Sequence, residues 1–149
     1  MKKLAIILTI VAATAMIFSS CGKYDEGPGF SLLTKKARIT GTWTLSEITE
    51  NGTAVDVTDV TLKYTLEKDG TGSTVAGWGG MTFTSDIEWE FDDTKENLKI
   101  KSKNPITGEW EEEWTESKII RLTNSECWTE DIENEDGVEI VSVIKLVKE

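Results

Sequence analysis

From Gly41 to the C-terminus, apolar side chains recur at every second position. Leu62, Tyr64 and Leu66 alternate with Thr61, Lys63, Thr65 and Glu67. Ile87, Trp89 and Phe91 alternate with Asp86, Glu88 and Glu90, and Leu98 and Ile100 with Lys99 and Lys101. Val138, Ile140, Ser142, Ile144 and Leu146 alternate with Glu139, Val141, Val143 and Lys145. Neighbouring side chains of an extended strand point to opposite faces, so this is the pattern of strands with one dry and one wet face. A helix would repeat about every 3.6 residues instead.

The breaks between runs agree. Asn51-Gly52, Asp69-Gly70 and Asp136-Gly137 tolerate the positive φ of tight hairpin turns, and Asn104-Pro105 with Thr107-Gly108 marks another turn. The runs predict strands at 41–49, 60–67, 71–77, 82–92, 97–103, 109–115, 117–123 with 125–132 as a hairpin, and 138–147. Whether 109–115 and 117–123 are one strand or two stays open. The fold class expected is all-β: a single antiparallel up-and-down barrel of about eight strands, because so long a meander must close or fold over to cover its edges. The exception is 31–39, where Ser31 stands as an N-cap before good helix formers and predicts a short helical turn under the barrel.

Ahead of this domain the chain changes character. Lys2 and Lys3 precede an uncharged, mostly apolar run from Leu4 to Phe18, followed by the small residues Ser19 and Ser20. That is the three-part layout of a secretory signal, and the run is shorter than the roughly 20 residues of a spanning helix. Phe18-Ser19-Ser20-Cys21 resembles the lipobox of bacterial lipoproteins, with Phe18 where Leu is usual. The resemblance implies cleavage after Ser20 and lipid attachment at Cys21, and two or more acyl chains hold firmly to a bilayer. The polar, Gly- and Pro-containing stretch from Gly22 to Gly29 reads as an extended tether. The division expected is therefore a lipoprotein signal at 1–20, a flexible tether at 21–30 and a barrel domain at 31–149. Gly22 in place of Asp resembles a cargo of the outer membrane of a Gram-negative bacterium. Lys23 with Asp25 and Glu26 resembles signals for display on the cell surface.

Composition excludes several functions. The signal carries two of the 16 basic residues and none of the 27 acids, so cleavage takes the formal charge from -11 to -13. Such a chain is repelled by phosphate backbones, and no nucleic-acid partner is expected. There is no histidine, which removes the commonest general base and metal ligand. Cys127 is the lone cysteine of the domain, so it forms no disulfide within it. No cofactor, metal site or catalytic residue is expected, and the acids are too numerous to nominate a catalytic pair. The acidic runs 109–113 and 130–136 read as solvated edges and turns rather than calcium loops.

Gly41-Thr42-Trp43 opens the first strand of this meander. A Gly-x-Trp in that place resembles the lipocalin and calycin superfamily. The stretches 35–45 and 119–126 are similar to small lipocalin-like lipoproteins of Gram-negative bacteria. The resemblance implies that Trp43 closes one barrel end under a basic residue, with Arg38, Arg121 and Lys145 as candidates. It also implies a small apolar or amphipathic ligand inside the barrel, which would need an interior of a few hundred cubic ångströms.

Trp43, Tyr64, Trp78, Trp89, Phe91 and Trp114 are the residues expected in the barrel interior or against a ligand. Trp43 and Trp89 lie on apolar faces and read as core. Trp78, between Gly77 and Gly79, is either folded over the barrel mouth or exposed to a sugar ring or partner. Trp110 and Trp114 share a face with Glu112 and Glu116 on a regular strand; a bulge that puts the tryptophans inside is the plainer reading. Cys127 is expected inward and inert, with Trp128 outward. The alternative to a ligand-binding barrel is a surface module that binds glycan or protein through Trp78, Trp110, Trp114 or Trp128.

Overall fold

The computed structural model describes residues 32–149; the signal at 1–20, the tether and Cys21 lie outside the described residues. A five-residue helix, α1 (Lys35–Ile39), leads into nine strands. These are β1 (Gly41–Glu50), β2 (Thr53–Val55), β3 (Val60–Leu66), β4 (Thr71–Trp78), β5 (Met81–Phe91), β6 (Asn97–Ser102), β7 (Thr115–Leu122), β8 (Glu126–Glu135) and β9 (Val138–Lys148). Each strand from β3 to β9 pairs antiparallel with the next, β1 pairs with β3, and β9 returns to β1. Eight strands thus form a closed antiparallel up-and-down barrel, as expected. β2 is an addition: it folds back on the far half of β1, opposite Ile48 to Glu50, where β3 does not reach.

The turn chemistry acts as expected at two of the three hairpin pairs; at Asp69-Gly70 only the glycine, with φ of 95°, is left-handed. Asn51 and Gly52 have φ of 49° and 78°, and Asp136 and Gly137 have 50° and 82°, the left-handed pairs that suit the twist of antiparallel strands. The helix is capped one turn later than expected. Thr34 accepts the Ala37 N–H at 3.1 Å, while Leu32 and Leu33, before it, stay exposed. The expected strand at 109–115 is absent. Lys103 and Trp110 make one isolated bridge, and the chain resumes as a strand at Thr115. Glu111, Glu112 and Glu113 are consecutive, so a strand there would turn at least one acid onto the dry face; a loop leaves them in water. The acidic run at 130–136 lies mainly along β8, which extends to Glu135 rather than ending at 132.

The barrel has one sealed end and one open end. At the sealed end α1 packs beneath the strands, and Ile39, Trp43, Ile119, Leu122 and Cys127 are wholly buried. Trp43 Nε1–H donates to the Ile39 carbonyl at 2.6 Å. Lys148 Nζ lies 5.1 Å from the Trp43 ring centroid and donates to the Arg38 carbonyl at 2.8 Å. The basic residue over Trp43 is therefore Lys148, not one of the three candidates from sequence. Arg38 is buried beside it and donates to the Leu122 carbonyl at 2.9 Å. Arg121 and Lys145 instead flank Trp128 on the outer wall, 5.0 and 4.7 Å from its ring. Trp89 donates from Nε1 to the Glu67 and Thr71 carbonyls and meets Phe91 edge-on at 5.9 Å.

Candidate functional site

Above the sealed end the barrel holds a cavity of about 160 Å³. Its floor is apolar: Ile39, Trp43, Leu66, Leu98, Cys127 and Leu146. Ile39 comes from α1; the other five come one each from β1, β3, β6, β8 and β9, on the face that the strand alternation turns inward. Tyr64, Ile100 and Ile144 form the wall. A polar belt of Ser102, Thr115, Ser117 and Thr129 follows, one step nearer the mouth on β6, β7 and β8, with Glu111 reaching in from the loop between β6 and β7. Glu111 is fastened at both ends. Its N–H donates to the Ser102 carbonyl at 2.9 Å, and its Oε2 accepts the Ser102 N–H at 3.1 Å.

Asp131 sits just beyond the belt, at the next inward position of β8 after Cys127 and Thr129. Burial raises its carboxyl above the ordinary range, a hydrogen bond from Ser117 works the other way, and the charge of Glu130 adds to the rise. Burial, and then the charge of Asp131, raise the Tyr64 hydroxyl. The Cys127 thiol, at the floor, is pushed up to about 12 by burial alone.

The open end is lined differently. A groove of about 570 Å³ runs between the β4–β5 hairpin and the loop after β6, and it shares Ser102 and Glu111 with the cavity below. Trp78, Phe83 and Ile106 line it and are 66%, 54% and 83% exposed. Met81, paired with Trp78 at the hairpin tip, is 70% exposed. Thr74 Oγ1 is buried at this groove without a hydrogen-bond partner.

Of the residues expected to line the interior, Trp43 and Tyr64 line the cavity and Trp78 lines the groove. Trp89 and Phe91 do not reach the cavity; they pack in the core at the sealed end, where their carbonyl and ring partners lie. Trp114 lines neither space and is 37% exposed on the loop, because the strand that would have turned it inward does not form. Trp110 is on the same loop, 40% exposed, with Lys103 Nζ 6.0 Å from its ring. The cavity is also smaller than the few hundred cubic ångströms expected. Sequence reasoning missed Ser102, Glu111, Ser117 and Asp131. The inward positions of Ser117 and Asp131 were readable from the alternation; that of Glu111 depends on a loop contact and was not. Among the described residues no group of three or more His, Cys, Asp or Glu is placed to hold a metal ion.

No family model matches the chain, and no curated protein matches it. Among solved structures, a deswapped triple mutant of bovine odorant binding protein is similar at 11% identity. The match covers 78% of this chain and 75% of that one, with a TM-score of 0.45.

Proposed function

We propose that this chain is a lipid-anchored, lipocalin-like binding protein whose barrel takes a small amphipathic molecule, apolar part first. The observation that carries the reading is the layering of the cavity, an apolar floor under a polar belt, open to a groove. A volume of about 160 Å³ matches cavities that take one benzene-sized ring. The groove above it offers the unpartnered Thr74 hydroxyl and an apolar rim to whatever part of the molecule projects. The role is binding, not catalysis.

Calorimetric titration of the domain with 2-phenylethanol tests this directly. Saturable one-to-one binding is expected, lost in Ile144→Phe, which fills the cavity. Failure of any single-ring amphipath to bind would overturn the reading. Native mass spectrometry of protein purified from its own host would then identify the physiological ligand.

Anchoring rests on Phe18-Ser19-Ser20-Cys21, and the outer membrane of a Gram-negative bacterium, at its outer face, on Gly22 and the acidic residues that follow. Metabolic labelling with an alkynyl fatty acid should tag the wild type and not Cys21→Ser. Protease treatment of intact cells should remove the domain.

A second reading, recognition of glycan or protein at the rim, is favoured by the exposure of Trp78 beside Phe83 and Ile106. A glycan array probed with wild type and Trp78→Ala separates the two readings.

A further inference from the structure

Towards the mouth the inner wall is apolar, then polar, then apolar again. On β5 the inward positions run from the buried Ile87 through Ser85 to the exposed Phe83. Gly72, Thr74 and Ala76 stand opposite them on β4, residues too small to fill the passage. Each step of two residues along a strand is about 7 Å. The polar level continues sideways. Tyr64 is directly across from Thr74, and Thr74 from Ser85. Ser102, Ser117 and Thr129 carry the level on, so each strand from β3 to β8 brings one hydroxyl to the two spaces. The protein does not use all of them. Thr74 Oγ1 is buried without a partner. Thr129, 6% exposed, makes no side-chain hydrogen bond among the described residues. Beyond this belt Phe83, Trp78 and Ile106 form an exposed apolar lip, and Ser102 borders both the cavity and the groove. The groove holds one residue of each sign, Glu111 and Lys103, so it offers no net charge to a ligand.

A buried hydroxyl without a partner is costly, and so is apolar surface left in water. One molecule relieves both if its oxygen lies in its middle. We propose that the occupant is an uncharged ester or ketone with an apolar group on each side of its carbonyl. One group lies on the floor, the other lies against Phe83 and Trp78, and the carbonyl oxygen accepts from the hydroxyls between them. The inference rests on the barrel being the ligand site, and it names the ligand class for that site. A ketone or ester bears chain on both sides of its carbonyl, as the two apolar spaces require. An alcohol or carboxylate at the end of a chain either leaves the belt unmet or leaves the lip bare. An ionised head is disfavoured further, because the belt supplies hydroxyls and no opposite charge.

Four probes, each with one phenyl ring, test this by titration of tryptophan fluorescence at pH 7. Benzyl butanoate has its carbonyl in the middle, 5-phenylpentan-1-ol has its oxygen at the end, and pentylbenzene has none. The shorter 2-phenylethanol reports on the cavity alone. The ester should bind about tenfold tighter than either chain of similar length, the scale of one hydrogen bond. Its advantage over pentylbenzene should shrink in Thr74→Val, which removes a hydroxyl without a partner in the protein. Its advantage over 2-phenylethanol should shrink in Trp78→Ala, an exposed position whose loss the fold tolerates. Equal or tighter binding of phenylpentanol or pentylbenzene by the wild type, or an undiminished advantage in either variant, overturns the inference. Binding of 2-phenylethanol in that case leaves the barrel reading standing. Binding of none of the four overturns both.

Discussion

Lys148, from the last strand, lies over the ring of Trp43, from the first, and the same lysine stem fills the space where Gly41 would carry a side chain. A Cβ built on Gly41 would stand 2.5 Å from Lys148 Cε, and Gly41 itself has φ of 131°. The glycine of the Gly-x-Trp opening is therefore required twice, by its backbone and by the lysine that seals the barrel end. The sequence shows the glycine and the tryptophan two residues apart; the lysine that explains both arrives more than a hundred residues later.

Gly41→Ala should lose roughly 1–3 kcal/mol of stability, from the strained φ and the displaced lysine together. Lys148→Ala should lose less than this. The double variant should fall short of the sum of the two, because removing the lysine frees the space the new methyl needs. Urea unfolding of the four proteins measures the coupling, and strict additivity would show that the two residues do not share this space.

Trp43→Ala should cost about 3–5 kcal/mol, the range for deleting a fully buried large aromatic. Trp43→Phe keeps a ring under Lys148 but strands the Ile39 carbonyl, and should cost about 1–3 kcal/mol from the lost hydrogen bond, with an added share for the smaller ring. Equal losses in both variants would mean that the hydrogen bond, and not the packing, dominates the site.

Cys127 should not react with a thiol reagent in the native protein at pH 8, and should react fully once denaturant is added. Its side chain is wholly buried and its thiol pushed up to about 12. The sign of the linkage follows: the unfolded chain ionises first as pH rises past about 9, so stability falls above that point. Rapid native labelling would show that the floor of the cavity opens.

Asp92 turns the β5–β6 hairpin. Partial burial pushes its carboxyl up, but the Thr94 hydroxyl and the backbone N–H groups of Asn97 and Glu96 outweigh this and hold it at about 2. Its folded value lies below its unfolded value of about 4, so its contribution is complete above pH 4 and is lost as pH falls towards 2. Asp92→Asn should be less stable than wild type at pH 7, and the gap between their urea midpoints should close by pH 2.

Much of the barrel was legible because its period is local. Each strand announces its own inward face, as Ile87, Trp89 and Phe91 do, and each Asn-Gly or Asp-Gly pair its own turn. What escaped was set by distance. Trp89 and Phe91 face inward as the alternation says, but only the tilt and packing of the sealed end decide that they miss the cavity. Trp114 was misplaced because three consecutive glutamates broke a strand that its own pattern suggested. Glu111 reaches the neck through Ser102, a contact across a loop that no periodicity records.

The helix α1 and the open groove occupy opposite poles of the barrel. Under the anchoring proposed at Cys21, the leash would join the barrel at its sealed pole and leave the entrance at the pole away from the attachment. The proposed ligand would then arrive from solution rather than from the bilayer.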